Sequence, residues 1–143
     1  MSDLSAFLAQ NALPVEHVKY AASKRFIDPK TKLPMEWELR ALTSEEDEAL
    51  RKDCTRNVPV PMKKNQYAPQ LDTTKYIGRL AAACVVFPDL NDSALQDSYH
   101  AMGAESLLKA MLLPGEYADL ITEVQSINGF DLDMGERVEE AKN

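Results

Sequence analysis

The chain has 143 residues, 45% hydrophobic and 27% charged, the composition of an ordinary globular domain. A chain of this size buries roughly two thirds of its unfolded surface, so it needs neither a disulfide nor a metal to fold. Cys54 and Cys84 form no Cys-x-x-Cys pair and suit reduced structural thiols better than a redox or zinc site. The longest apolar run, Leu80 to Phe87, falls far short of the about 20 residues that span a bilayer. Met1-Ser2-Asp3 brings no basic region, so no secretory signal is expected and a cytoplasmic location follows.

The net charge of -7 is unevenly placed: residues 1–71 carry 11 Lys and Arg against 10 Asp and Glu, whereas residues 72–143 carry 5 against 13. That acidic half would repel a phosphate backbone. The basic clusters elsewhere (Lys24-Arg25, Lys30/Lys32, Arg51-Lys52, Lys63-Lys64) are short and diluted, so nucleic acid is a disfavoured partner.

In chain order, Leu4, Phe7 and Leu8 give Ser2–Asn11 the spacing of a short amphipathic helix closed by Pro14. Val18, Tyr20 and Ala22 then alternate with their neighbours, as do Met35, Trp37, Leu39 and Ala41, and period two means strands. Asp28-Pro29-Lys30-Thr31 between them predicts a type I turn. The two strands form a hairpin that packs through Trp37 and needs a covering helix, because an isolated hairpin is marginal in water. The next segment supplies one: Thr43-Ser44 followed by Glu45, Glu46, Asp47 and Glu48 caps a helix that fades by Asn57.

Residues 58–71 read as a loop, because Val58-Pro59-Val60-Pro61 forces extended or polyproline backbone. Its Val58, Val60, Met62 and Tyr67 give more apolar weight than a solvated spacer needs. It is either a strap packed over the core or a surface for a partner. Asp72 then caps a helix through Val85, stopped by Pro88, whose all-round apolar second half makes it the central buried helix. Asn91-Asp92-Ser93 starts a short helix, Glu105 to Leu113 forms another, and Pro114 opens a last one that Asn128-Gly129 ends. Asp133 to Lys142 is charged and reads as a frayed helix or tail. The fold class expected is α+β, mainly α, in one domain over 1–143: a hairpin plus helix (1–57), the loop (58–71), an acidic bundle of about four helices (72–130) and a flexible tail (131–143).

The chemistry-bearing residues form no catalytic constellation. Gly78, Gly103, Gly115, Gly129 and Gly135 make no phosphate-binding loop, and His17 and His100 stand in no catalytic spacing with Cys or Ser. The runs Asp89–Ser93 and Asp131–Gly135 lack the Gly at position six and Glu at position twelve of a calcium loop, so helix capping explains them better. No catalytic, cofactor or metal site is expected. What remains is surface: the Pro-rich segment, the adaptable Met62, Met102, Met111 and Met134, and amphipathic helices.

Arg25-Phe26, Trp37-Glu38, Ser44-Glu45-Glu46, Leu95-Gln96-Asp97-Ser98-Tyr99, Leu112-Leu113-Pro114-Gly115-Glu116-Tyr117 and Asn128-Gly129-Phe130-Asp131, in this order and spacing, resemble the XkdN-like tail assembly chaperones of tailed phages and prophages. His100 stands where the pattern leads one to expect glycine. The resemblance covers nearly the whole chain and implies a non-enzymatic role: holding the tape measure protein soluble while tail tube subunits assemble around it, without remaining in the virion. It also implies a longer product made by a programmed frameshift, through which the tail tube protein would be a partner. Ala141-Lys142-Asn143 is compatible with the adenine-rich codons such a slip needs. The resemblance supplies no binding residue, so Val58, Val60, Met62 and Tyr67 are the candidates on their apolar character alone. The competing reading is a structural virion component, such as a tail completion or head-tail connector protein. Oligomerisation is left open.

Overall fold

The structure, a computed structural model, describes residues 3–130; the tail expected over 131–143 lies outside the described residues. A 3-10 turn (Asp3–Phe7) precedes β1 (Val18–Tyr20), β2 (Trp37–Leu39), α1 (Ser44–Asp53), β3 (Thr55–Pro59) and β4 (Tyr67–Leu71). After these come α2 (Thr73–Cys84), β5 (Val85–Phe87), α3 (Ser93–Ser98), α4 (Ala104–Met111) and α5 (Pro114–Ile127). The class is α+β, as expected.

β1 and β2 pair antiparallel, with Val18 opposite Leu39 and Tyr20 opposite Trp37. Alternation turns Trp37 and Leu39 inward, where both are buried, and leaves Glu38 outward to accept from Lys19 Nζ at 3.5 Å. The reversal falls where the sequence places it but is wider than a type I turn. The Asp28 carbonyl accepts from Lys32 N–H and the Asp28 N–H donates to the Leu33 carbonyl, each at 2.8 Å. The Asp28 carboxylate accepts from Lys30 N–H, and Lys32 takes φ 63°.

Two segments depart from the sequence-based expectation for one reason, strand pairing between partners that local periodicity does not register. Val85 to Phe87, read as the end of a helix, leaves α2 and pairs antiparallel with β2, giving the order β1-β2-β5 with Val85 opposite Leu39. The β-branched Val85-Val86 finds an unpaired strand edge there, which outweighs another half turn of helix. Residues 58–71, read as a loop, belong to an antiparallel ribbon in which β3 and β4 pair from Thr55 opposite Leu71 to Pro59 opposite Tyr67. Helix α1 accordingly stops at Asp53, short of Asn57.

Helix starts follow their caps. The Thr43 hydroxyl accepts from Glu46 N–H at 3.1 Å while the Glu46 carboxylate accepts from Thr43 N–H at 2.9 Å, a reciprocal capping box. Asp72 caps α2 and Asp92 caps α3, so Asp92 in the Asp89–Ser93 run serves as a cap. α3 ends with Ala101 N–H on the Gln96 carbonyl at 2.9 Å and His100 at φ 54°. The glycine-favouring conformation is kept although the residue is histidine.

α2 is the central helix, burying Tyr76, Gly78, Leu80, Ala81 and Cys84 and packing on α1, α4 and α5. Leu107, Leu108 and Met111 of α4 and Leu120 and Val124 of α5 join Trp37 and Leu39 in one core, which Leu50 of α1 and Leu71 of β4 reach from the side. The 3-10 turn is shorter than the helix expected there, and Phe7 faces solvent.

Candidate partner-binding surface

The β3–β4 hairpin stands off the body. No residue from 55 to 71 is buried, and its base is tied down by Asp72 N–H on the Cys54 carbonyl at 2.8 Å, with Leu71 packed on the core. Beyond the named strands Val60 N–H still bonds the Gln66 carbonyl at 2.9 Å, which leaves Pro61 to Asn65 as the tip. Met62 and Asn65 take φ 65° and 60° there. A strap packed over the core would bury these residues, and the structure leaves them unburied.

The four candidates lie on this one arm but do not share a face. Residues directly opposite in an antiparallel pair lie on the same side of the ribbon, and successive residues alternate. Val58, opposite Ala68, and Val60 therefore lie on one side and are half-buried, whereas Tyr67, opposite Pro59, lies on the other and is 65% exposed. Met62 sits at the tip, fully exposed. Of the other methionines, Met102 is exposed and Met111 is buried in the core; Met134 lies outside the described residues.

The arm is also basic. Residues 55–71 hold Arg56, Lys63 and Lys64 and no Asp or Glu, within a chain of net charge -7. Arg51, just before it, is engaged: its Nε donates to Asp47 Oδ2 at 2.9 Å and its guanidinium lies 4.5 Å over the Tyr76 ring. Tyr76 donates its hydroxyl to the other Asp47 oxygen. Burial, foremost, and that bond push the Tyr76 phenol up to about 12. This cluster fastens α1 to α2 directly below the hairpin.

A second feature, which sequence reasoning missed, is an open groove of about 600 Å³ between α1, α2 and the start of α4. Leu50, Ala82, Ala83 and Met102 line it together with the charged Arg79, Glu105 and Lys109. It is assembled from four separated segments, so no local pattern in the sequence signals it. No imidazole or thiol lines it, and among the described residues no three His, Cys, Asp or Glu side chains could hold a metal ion. Cys54 and Cys84 are both free and buried, and burial raises the Cys84 thiol. No helix among the described residues is long and apolar enough to cross a membrane.

Residues 4–142 match the family model of the phage XkdN-like tail assembly chaperone protein. The chain is 31% identical over 144 residues to the phage-like element PBSX protein XkdN of Bacillus subtilis (strain 168), covering 99% of this chain and 94% of that one. It is 30% identical over 142 residues to YqbN of the same organism, covering 99% and 93%. A crystal structure of the protein YqbN superposes with a TM-score of 0.75 at 26% identity, over 92% of this chain and 99% of that one. The chain therefore belongs to the phage XkdN-like tail assembly chaperone family, and its role lies in phage tail assembly.

Proposed function

We propose that this member of the XkdN-like family is a non-enzymatic holder of the tape measure protein, acting in the host cytoplasm and absent from the finished particle, with the β3–β4 hairpin as its contact arm. The observation that carries the reading is the arm itself: a projecting ribbon that exposes Met62 and Tyr67 although the core takes nothing from them. A transient holder needs apolar contact area of modest affinity, and a small adaptable surface of Met and Tyr supplies it. The acidic remainder keeps the complex dispersed. A longer frameshifted product that brings in the tail tube protein belongs to the same reading.

Co-expression with the tape measure protein of the same phage genome tests it. The wild type should keep the tape measure protein soluble and co-purify with it. The variant V58S/V60S/M62S/Y67S should lose most of that capture while its thermal unfolding moves by no more than a few degrees. A large fall in melting temperature would make the arm part of the folded core, and unchanged capture would place the contact elsewhere. Mass spectrometry of purified particles separates this reading from a structural virion component, which would be found there.

A further inference from the structure

We propose that the β3–β4 hairpin docks on the acidic face of α5 in a second copy of this chain. The arm carries Arg56, Lys63 and Lys64 without a single carboxylate. None of the three forms an ion pair among the described residues, whereas Lys19, Arg40, Arg51, Arg79 and Lys109 all do. These three cations on a projecting arm, in a chain of net charge -7, are free to meet a counter-charge on another molecule.

The same chain offers one. Residues 114–127 hold Glu116, Asp119 and Glu123 and no Lys or Arg. The Glu116 carboxylate is occupied at the head of its helix, accepting from Leu113 N–H at 2.8 Å. Asp119 and Glu123 form no ion pair among the described residues. Standing four residues apart, they are neighbours on one helix face, roughly 6 Å between Cβ atoms, a spacing that two adjacent lysine tips reach. Within one molecule, no ion pair among the described residues joins the arm's cations to their own α5.

Docking goes through side chains and not through sheet extension, because Pro59, Pro61 and Pro69 remove N–H donors along the ribbon. Arm to α5 is a contact between different patches. It closes as a reciprocal pair when each copy receives the other's arm, and otherwise builds a ring or an open filament. The proposal stands apart from the tape measure reading, since the contact forms without that protein. If both hold, self-association and capture compete for the arm.

Sedimentation velocity on the full chain alone tests it. In about 0.1 M salt the mass should exceed the 16.0 kDa of one copy. In about 1 M salt, where the screening length falls from about 10 Å to about 3 Å, it should return to that of one copy. K63E/K64E and D119K/E123K, each checked for an unchanged circular dichroism spectrum, should each weaken association by more than about tenfold. Mixing the two should restore it, because each reversed patch then meets its complement. The neutral pair K63Q/K64Q and D119N/E123Q serves if a reversal fails to fold, each member weakening association less than charge reversal would. A wild type of one-copy mass at low salt overturns the proposal. So does association that survives the reversals, or a mixture that stays dissociated. Loss of nucleic-acid binding in K63E/K64E, in a chain that remains a single copy, would assign the arm to that partner instead and overturn it equally.

Discussion

Gly78 and Glu105 meet so closely that a Cβ on Gly78 would collide with Glu105 Oε1. The missing side chain lets the Glu105 carboxylate lie across α2 while it accepts from Lys109 Nζ at 3.1 Å and faces Arg79 Nε at 3.9 Å. The conflict is with the far end of a flexible side chain, not with backbone, so G78A should displace Glu105 and leave the helices in place. The helix gains about 1 kcal/mol from replacing an interior glycine. The displaced Glu105 loses two half-exposed pairs worth about 0–1 kcal/mol each. G78A alone should therefore lie within about 1 kcal/mol of wild type, and in an E105A background it should stabilise by about 1 kcal/mol. Urea unfolding of the four proteins measures the coupling. Equal effects of G78A in both backgrounds would show that the carboxylate does not feel the position.

His100 closes α3 in the left-handed region, at φ 54°, a conformation that costs an ordinary L-residue about 1–2 kcal/mol and glycine nothing. Glycine gives back part of that gain through its freer unfolded chain, about 0.5–1 kcal/mol. H100G should raise stability by roughly 0.5 kcal/mol. H100A, with a Cβ but no polar ring, should be no more stable than wild type. A destabilised H100G would mean that the imidazole contributes at this turn more than its backbone conformation takes away.

The sequence announces those parts of the fold whose signals are local. Thr43 with Glu46, Asp72, Asp92 and Pro114 each start a helix within a residue of the expected place, because a cap acts on the amides of its own first turn. Trp37 and Leu39 alternate inward as period two requires. Val85 to Phe87 could not be told from more helix, since a short apolar run has no period of its own and its partner β2 lies more than forty residues away. The ribbon of β3 and β4 was hidden by Pro59, Pro61 and Pro69, which argue against a strand although a two-stranded ribbon tolerates them at its edges. Of the candidate surface, the position of Val58, Val60, Met62 and Tyr67 on one segment was legible. Their division between two faces was not, because it depends on register.

Glu46 carries a pH dependence. Its carboxylate accepts from both Arg40 guanidinium nitrogens, at 3.2 and 2.8 Å, and from Thr43 N–H. Those bonds, the Arg40 pair first, hold its carboxyl down to about 2. A group whose folded value lies below its unfolded one binds its proton more readily when unfolded, so its contribution is complete above the unfolded value and fades as pH falls through the folded one. The window runs from the ordinary 4.5 down to about 2. Across it the wild type should lose stability more steeply than E46Q, whose side chain still caps Thr43 but does not titrate, and the two curves should converge towards pH 2. Parallel curves would show that the Arg40 pair is as strong with the proton as without it.

Asn128 reads in the sequence as a helix stop, yet in the fold it joins three segments. Its Oδ1 accepts from Leu42 N–H at 2.8 Å, and its Nδ2 donates to the Val124 carbonyl at 2.7 Å and approaches Cys84 Sγ at 3.4 Å. The end of α5, the end of α2 and the chain leaving β2 are held at one side chain that offers both an acceptor and donors. In N128A the Leu42 N–H, part-buried, loses its acceptor, and an unsatisfied buried donor costs about 1–3 kcal/mol. N128D keeps an acceptor for Leu42 but turns a carboxylate oxygen towards the Val124 carbonyl, so it should recover only part of the loss near neutral pH. It should recover more below the carboxylate range, where a protonated oxygen donates to Val124 again. Chemical denaturation of the three proteins at pH 7 and at pH 3, each variant compared with wild type at the same pH, decides it. An N128D deficit that fails to shrink on acidification would remove the donor half of this junction from the account and leave Leu42 as its only partner that matters.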